Sequence, residues 1–233
     1  KKNPLSSIKM TSDILSIESY RDIIFKIKNE LENGNAYQIN FTMLKKYTIT
    51  HSPFQLYLDL RNFIKPKLGY YFKFKEYDIL SFSPEQFFEK NGKNLYLYPM
   101  KGTIERHLNI KEDKKRKDIL KKSIKDKAEH LMIVDLIRND LGKISNFGSI
   151  KVDSLFNIES HDTVHQMVSC VNGIIRDGIQ EFDIIRALFP GGSVTGAPKE
   201  SAMTIIDSLE NYSRNIYTGA IGYITNQGDN NVS

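Results

Sequence analysis

Glu85 and Lys101 stand at the ends of neighbouring predicted strands and have the side chains needed for acid and nucleophile chemistry. Glu85 follows Ser83-Pro84 at the end of one strand, and Lys101 precedes Gly102 at the end of another. Between them, Asn91-Gly92 has the composition of a tight β-hairpin turn. A hairpin would bring both side chains to the same end of one sheet, where they could act as acid and nucleophile. Taken separately, the glutamate is typical of a turn cap and the lysine of a surface turn, so the pairing depends on the hairpin.

A long predicted helix over residues 112–140 contains two carboxylates with different expected roles. Glu129 lies where the helix passes from a lysine-rich half to an apolar half, and its oxygens could bind a hard cation such as Mg2+. An ordinary helix charge is the alternative explanation. Asp135 interrupts the apolar segment 131–137, so we expect it to be buried and paired with Arg138, mainly as a structural feature.

The segment Gly191–Lys199 is rich in glycine and leads into a helix predicted at 198–209. Its glycines and the helix N-terminus predict an anion site, which a carboxylate fits as well as a phosphate. The GxxxxGK[ST] spacing of a nucleotide-binding P-loop is absent. A tight turn without any ligand is the alternative.

Two histidines, His161 and His165, fall on one face of a predicted strand. No acidic third ligand lies close to them in the sequence, which argues against a zinc site. We therefore expect hydrogen-bonded histidines in the core or in a cleft.

The elements that must position these residues are long strands with helices between them. Residues 19–33 predict an amphipathic helix that ends at Gly34, and Ser52-Pro53 predicts the start of a helix reaching about residue 64. Residues 36–49 alternate as a strand does, with Tyr37 and Met43 on its apolar face. Further strands are expected at 69–74, 78–83, 86–90, 94–99, 149–158, 163–175 and 216–225, and a helix at 180–188. This pattern predicts an α+β fold in which antiparallel β-sheets are sandwiched with helices.

The composition excludes several classes of protein. The 233 residues are 40% hydrophobic, which suffices for one large domain, and we treat residues 1–233 as a single domain. No run of apolar residues is long enough to span a membrane. The single Cys170 excludes a disulfide framework and a cysteine-built metal site, and it favours a reducing, cytoplasmic setting. Much of the net charge of +5 lies in residues 111–127, which are typical of a solvated helix face and do not indicate a nucleic-acid site.

The sequence also leads to one expectation for the N-terminal end of the chain and one for the C-terminal end. The N-terminal residues 1–4 lack the apolar core of a signal peptide. Residues 226–229 have the composition of a hairpin turn, and a strand beginning at Asn230 would have no room to finish before Ser233. We therefore expect the domain to be incomplete at its C-terminal end.

Six segments, occurring in one order along the chain, resemble the chorismate-utilising enzymes. That family contains component I of anthranilate synthase and of aminodeoxychorismate synthase, as well as the isochorismate and salicylate synthases. Each segment alone is modestly specific, whereas six in order are highly specific and reach from about residue 20 to the end. They are 35–40 (NAYQIN), 83–85 (SPE), 99–103 (PMKGT), 128–142 (AEHLMIVDLIRNDLG), 192–199 (GSVTGAPK) and 217–223 (YTGAIGY).

Two positions indicate a branch of this family. Gln38 stands where the water-adding isochorismate and salicylate synthases place a lysine base, and an amide cannot deprotonate water at neutral pH. Lys101 stands where anthranilate synthases typically have alanine, so the PMKGT segment looks like that of aminodeoxychorismate synthase component I. At a third position, Gln166 replaces a histidine that is frequent in the family. The resemblance also implies the fold of component I, with an N-terminal part that is short or missing here.

The resemblance implies a reaction and roles for named residues. Ammonia from a glutamine amidotransferase subunit would replace the C4 hydroxyl of chorismate, giving 4-amino-4-deoxychorismate for 4-aminobenzoate and folate synthesis. Lys101 would attack the ring and Glu85 would protonate the departing hydroxyl, which requires an uncharged Lys101 and a Glu85 pKa raised enough to hold a proton at pH 7. Glu129 would be one Mg2+ ligand, with the second metal-binding glutamate and a carboxylate-binding arginine in segments beyond residue 233. The implied substrate-binding residues are Gln38, Thr195, Gly196, Tyr217 and Lys199.

Two alternatives stay open. The first is anthranilate synthase component I, which would aminate C2 and eliminate pyruvate. The second is a non-catalytic relative that acts as a binding or regulatory subunit. The presence of Glu85, Lys101 and Glu129 argues against the second alternative.

Overall fold

The computed structural model describes residues 8–13, 15–225 and 228–233. The N-terminal residues 1–4 and part of the turn predicted at 226–229 lie outside these ranges. The helices are α1 (Ile17–Glu32), α2 (Pro53–Ile64), α3 (Ile110–Lys122), α4 (Ile124–Gly142), α5 (Glu181–Leu188), α6 (Gly192–Thr195) and α7 (Lys199–Leu209). The strands are β1 (Ile8–Asp13), β2 (Gln38–Ile39), β3 (Lys45–Ile49), β4 (Leu68–Lys73), β5 (Asp78–Ser83), β6 (Phe88–Asn91), β7 (Asn94–Leu97), β8 (Met100–Glu105), β9 (Lys151–Ser160), β10 (Val164–Ile174), β11 (Gly196–Ala197), β12 (Gly222–Ile224) and β13 (Asn230–Val232).

The main sheet has seven antiparallel strands in the order β12-β13-β6-β7-β10-β8, with β9 also paired to β10. The predicted hairpin joins β6 to β7, and Asn91 lies opposite Asn94. Gly92 has φ +57°, a left-handed conformation that glycine adopts without steric cost. The smaller sheets are the pairs β1–β3, β2–β11 and β4–β5. The α+β architecture predicted from the sequence is confirmed.

The core lies between the main sheet and helices α4 and α5. Alternate side chains of β10 are buried on the face toward this core, as the pleat of a strand requires. Among the described residues, no helix is both long and apolar enough to cross a membrane. The buried cluster is Phe88, Leu95, Leu97, Val134, Leu141, Ile144, Val171, Ile175, Ile184 and Leu188.

Helix α4 buries one face only, whereas the apolar segment 131–137 predicts a helix that is buried on all sides. His130, Ile133 and Val134 are buried, whereas the side chain of Asp135 is 77% exposed. The predicted pairing is right, since Arg138 Nη1 lies 3.2 Å from Asp135 Oδ1, but the predicted burial of this carboxylate is wrong. Burial at positions three and four apart selects a single helix face, and Asp135 falls outside it.

Two other predicted elements are divided in the structure. The helix expected over 112–140 is broken at Ser123, whose Oγ accepts a hydrogen bond from the Asp126 N–H and so begins a new helix. The strand expected over 36–49 forms β2 and β3, which pair with different partners. Tyr37 and Met43, which the alternation placed on a buried face, are 71% and 45% exposed.

Candidate active site

The β6–β7 hairpin places Glu85 beside the start of β8. Glu85 lies between β5 and β6, and its Oε1 accepts a hydrogen bond of 3.3 Å from the N–H of Met100. The Ser83 hydroxyl donates to the main-chain carbonyl of Glu85 at 2.8 Å, which fixes the turn after β5. Glu85 and Lys101 therefore lie at the same end of the sheet, as the sequence predicted.

Lys101 lies in a β-bulge of β8. Thr103 pairs with Gln166 and Met100 with Val168, so β8 has one residue more than β10 over this stretch. Gly102 supplies the left-handed backbone that the bulge needs, with φ +83°. The Lys101 amine donates to the main-chain carbonyl of Ser193 at 3.0 Å. The bulge thus turns this side chain toward the α6 segment.

The surroundings of Glu85 raise the pKa of its carboxyl group toward neutrality. Burial raises its pKa from 4.5 to about 7, although the Met100 N–H, the nearby charge of Lys101 and the Ser193 side chain each lower it. The raised pKa predicted from the sequence is confirmed. A carboxyl group in this state can donate a proton near pH 7.

Glu85 stands between two cavities. One has a volume of about 570 Å³, and its wall includes Glu85, Ser193 and Tyr217. The other has a volume of about 580 Å³ and is lined by Glu85, Gln166 and Met100 among others. Both volumes are in the range of small-molecule sites. Lys101 is not one of the described residues that line these two cavities. Its amine contacts the wall of the first cavity through the hydrogen bond to the Ser193 carbonyl.

Three of the expected substrate-binding residues lie where β2 pairs with β11. Gly196 is opposite Ile39, and a Cβ on Gly196 would lie 2.1 Å from the Gln38 carbonyl oxygen. Only glycine allows this approach of two backbones. Thr195 is buried, and its hydroxyl donates to the Gly191 carbonyl. The buried Gln38 Oε1 has no hydrogen-bond partner among the described residues. Direct contact of these residues with substrate stays a prediction.

The two other expected substrate-binding residues have different surroundings. Tyr217 is 63% exposed and lines the first cavity, so its side chain is accessible to a ligand there. Lys199 instead donates to Asp140 Oδ2 at 2.5 Å and to the Leu188 carbonyl at 3.1 Å. Asp140 also accepts a hydrogen bond from Lys143 at 2.8 Å. Lys199 is thus engaged within the protein, and its contact with substrate stays a prediction.

Glu129, the predicted Mg2+ ligand, has a partly exposed carboxylate that is not held by a close ion pair. Its side chain is 39% exposed, and its nearest cationic partner is Lys125 at 3.8 Å, too far for a close ion pair. Among the described residues, no group of three or more His, Cys, Asp or Glu side chains could hold a metal. Mg2+ usually keeps several water molecules and uses one or two carboxylates, so Glu129 alone fits as one ligand.

His130, beside Glu129, is a buried histidine that packs next to the Lys101 backbone. It is fully buried, and its Nε2 lies 2.6 Å from Ser169 Oγ, which also accepts a hydrogen bond from the Phe156 N–H. Burial lowers the pKa of His130; the Lys101 carbonyl offsets part of this effect and the Lys101 charge adds to it. His130 therefore packs a neutral ring beside the Lys101 backbone.

His161 and His165 do not share one strand face, because only His165 lies in β10. His165 is buried and lies within hydrogen-bond distance of Ser160 Oγ and Asp113 Oδ1, as expected of a core histidine. His161 is in the turn after β9, its side chain is 41% exposed, and it lines the second cavity, so it lies in a cleft.

A family model described as chorismate binding enzyme matches residues 1–233. This chain belongs to the chorismate-binding enzyme family. It is 36% identical to aminodeoxychorismate synthase component 1 of Escherichia coli over 99% of this chain and 52% of that protein. It is also 36% identical to anthranilate synthase component 1 of Saccharolobus solfataricus over 95% of this chain and 53% of that protein. The chain thus spans about half the length of these relatives.

Solved structures agree with this assignment. Anthranilate synthase component I from Streptococcus pneumoniae aligns with a TM-score of 0.86 at 28% identity, covering 100% of this chain and 51% of that one. A 2,3-dihydroxybenzoate-specific isochorismate synthase from Bacillus anthracis aligns with a TM-score of 0.82 at 20% identity, covering 97% and 62% of the two chains, and shows the fold alone. The resemblance stated from sequence motifs is confirmed at the level of family and fold.

Proposed function

We propose that this chain carries the catalytic core of an aminodeoxychorismate synthase component I. The reaction is the Mg2+-dependent amination of chorismate at C4, with ammonia delivered by a separate glutamine amidotransferase. The observation that carries the proposal is the placement of Lys101 beside Glu85, whose pKa is about 7. An acid that holds its proton near neutrality and an amine at the same end of one sheet are the two groups that this reaction needs.

The proposed chemistry has two allylic displacements. The uncharged amine of Lys101 forms a bond to C2 of the ring, both ring double bonds shift, and the C4–O bond breaks. Glu85 gives its proton to the departing hydroxyl, so water leaves, and the adduct holds the Lys101 nitrogen as a positively charged secondary amine. Ammonia then bonds to C4, the double bonds shift back, and the C2–N bond breaks to release Lys101 as a neutral amine. The new C4 ammonium returns one proton to the Glu85 carboxylate, which restores the starting state. Each of the two displacements moves both ring double bonds, the second in the reverse direction of the first. The new amino group therefore takes the place of the hydroxyl at C4.

The chain's own residues would prepare this sequence. Lys101 leaves the Ser193 carbonyl to reach the ring, and Glu85 stays buried with its proton. Tyr217, at the first cavity, would donate to a substrate carboxylate. Glu129 would hold Mg2+, whose charge would neutralise the ring carboxylate of chorismate when the ion is bound.

Product identity tests the proposal. The full-length protein that carries this chain is incubated with chorismate, Mg2+ and ammonium, and an aminodeoxychorismate lyase is then added. The expected product is 4-aminobenzoate, formed only after the lyase is added. Formation of 2-aminobenzoate with pyruvate, without the lyase, would overturn the C4 assignment. Glutamine should replace ammonium only when a glutamine amidotransferase is also present.

A lysine comparison tests the nucleophile. Lys101→Ala should abolish amination while leaving Mg2+ binding, measured by titration calorimetry, close to that of the unchanged protein. Lys93→Ala is the matched control, because Lys93 is an exposed lysine at the far end of the β6–β7 hairpin. Equal turnover of Lys101→Ala and Lys93→Ala would remove Lys101 from the reaction.

The second candidate is anthranilate synthase component I, because relatives with that name are as similar to this chain as the aminodeoxychorismate synthase components. An anthranilate synthase component 1 from Aquifex aeolicus is 37% identical to this chain, as similar as the aminodeoxychorismate synthase components. Overall identity therefore does not separate the two activities. The separation rests on Lys101, and the product assay decides it.

A further inference from the structure

Arg214 is a buried arginine that the proposed reaction does not use. It follows α7, and its side chain is 13% exposed. It forms a two-bond ion pair with Glu210, whose side chain is 3% exposed, with Nε–Oε2 at 2.8 Å and Nη2–Oε1 at 2.7 Å. Planar, two-bond pairing of this kind fixes orientation as well as distance.

The remaining donors of Arg214 reach three separate segments. Nη1 donates to the Val194 carbonyl in α6 at 2.8 Å and lies 3.5 Å from Thr218 Oγ1 in the wall of the first cavity. Nη2 donates to the Asn40 carbonyl after β2 at 2.7 Å. Every N–H of the guanidinium therefore has an acceptor, which a lysine, with one nitrogen, cannot reproduce.

Glu210 is fixed from its other side by Thr42. Its Oε1 accepts hydrogen bonds from the Thr42 N–H at 2.9 Å and from the Thr42 hydroxyl at 3.0 Å. Burial raises the pKa of Glu210, but the bonds from Arg214 and Thr42 outweigh burial and lower it overall. The carboxylate therefore stays ionised, and the Arg214–Glu210 pair stays intact at neutral pH.

Two adjacent carbonyl groups of the α6 turn accept hydrogen bonds from distant side chains. The last carbonyls of a helix have no partner within that helix. Here the Ser193 carbonyl accepts from Lys101 at 3.0 Å, and the next one, Val194, accepts from Arg214 and from Asn40 Nδ2. Lys101 and Arg214 thus bind adjacent carbonyls of one turn, so a displacement of the turn moves the point at which the Lys101 amine rests.

We propose that Arg214 is a positioning residue that fixes the α6 turn, and with it Lys101, for attack on the ring. Arg214 itself touches no substrate. It acts through the Val194 carbonyl on one wall of the first cavity and through Thr218 on another. This inference rests on the proposed function, since it assigns the role of Arg214 to the chemistry of Lys101.

The test compares Arg214→Lys with Arg138→Lys in the full-length protein at saturating chorismate, Mg2+ and ammonium. Arg138→Lys is the matched control, because the side chain of Arg138 is 53% exposed and pairs with Asp135 on the surface of α4. Arg214→Lys should lower kcat roughly a hundredfold, the effect of a misplacement of about 1 Å, while KM for chorismate changes much less. Arg138→Lys should keep kcat within about twofold, since exposed ion pairs contribute little. Thermal unfolding shows whether each variant is folded.

A second variant covers the case in which Arg214→Lys does not fold. Asn40→Ala removes the other side-chain donor to the Val194 carbonyl without leaving a buried charge, and it should lower kcat several-fold. Folded Arg214→Lys or Asn40→Ala protein with an unchanged kcat would overturn the positioning role. Because chorismate consumption is followed separately from product identity, formation of 2-aminobenzoate by the unchanged protein would refute the proposed function and not the effect of Arg214.

Discussion

Two buried glutamates, Glu85 and Glu210, respond to burial in opposite directions. Glu85 receives one main-chain hydrogen bond of 3.3 Å, and burial raises its pKa to about 7. Glu210 is also buried, but two bonds from Arg214 and two from Thr42 outweigh burial and lower its pKa. The depth of burial and the number and charge of the hydrogen-bond donors together decide whether such a carboxyl is an acid or a structural anion.

Of the changes that test this comparison, the largest effect is expected from removing the proton of Glu85. Glu85→Gln keeps the shape of the side chain but cannot donate a proton to a leaving hydroxyl, so chorismate amination should fall by roughly 10²- to 10⁴-fold. Because no buried carboxylate is lost from an ion pair, the unfolding midpoint at about pH 8 should not fall. Steady-state kinetics and thermal unfolding measure the two quantities. A rate within twofold of the unchanged protein would end the role of Glu85 as the acid.

Glu210→Gln, unlike Glu85→Gln, should lower the stability of the folded protein. It leaves the Arg214 guanidinium buried without its carboxylate, which costs roughly 3–5 kcal/mol of unfolding free energy. Denaturant unfolding gives this quantity, and Glu200→Gln is the control because Glu200 is exposed in the first turn of the same helix. If Glu210→Gln and Glu200→Gln unfolded at the same denaturant concentration, the contrast between the two buried glutamates would fail.

The pH dependence of stability should separate the two groups. The pKa of Glu85 is raised in the folded state, from 4.5 to about 7, so its contribution to stability is present below pH 4.5 and is lost as the pH rises through about 7. The pKa of Glu210 is lowered, so its contribution is present above 4.5 and is lost as the pH falls below that value. Relative to Glu85→Gln, the unchanged protein should lose stability between about pH 5 and pH 8. Parallel curves for the two proteins would contradict the raised pKa.

The smallest effect is expected at Asp135. Its ion pair with Arg138 is exposed, and exposed pairs contribute roughly 0–1 kcal/mol. Asp135→Asn should therefore shift the unfolding free energy by less than about 0.5 kcal/mol. A loss of several kcal/mol in denaturant unfolding would support the burial expected from the sequence over the exposure seen in the structure.

The parts of the fold that the sequence predicted are those fixed by local chemistry. Asn91-Gly92 requires a left-handed turn, and Ser52-Pro53 begins a helix through a side chain that accepts from the Gln55 N–H. Glu85 and Lys101 could be placed together because one local turn joins their strands. The strand at 36–49 could not be predicted, because β2 and β3 each pair with a segment distant in sequence.

The missed site residues act through distant partners. Glu210 and Arg214 lie just beyond the helix predicted at 198–209, where the spacing rule for ion pairs on a helix does not apply. Their acceptors and donors at Asn40, Thr42 and Val194 come from two remote segments, so the spacing alone did not indicate a role. The contact between Ser193 and Lys101 could not be predicted either, since it is made by the main-chain carbonyl of Ser193, which every residue possesses.

The hydrogen bond from Lys101 to the Ser193 carbonyl sets a condition on reactivity. A peptide carbonyl does not react with an amine under ordinary conditions. Without a ligand, the amine of Lys101, the proposed nucleophile, is therefore hydrogen-bonded to an unreactive acceptor. Reaching a ring in the neighbouring cavity means exchanging that bond for contact with the ligand. Losing one such bond costs about 0.5–1.5 kcal/mol net. The binding energy of the intended substrate can offset that cost before any covalent bond forms.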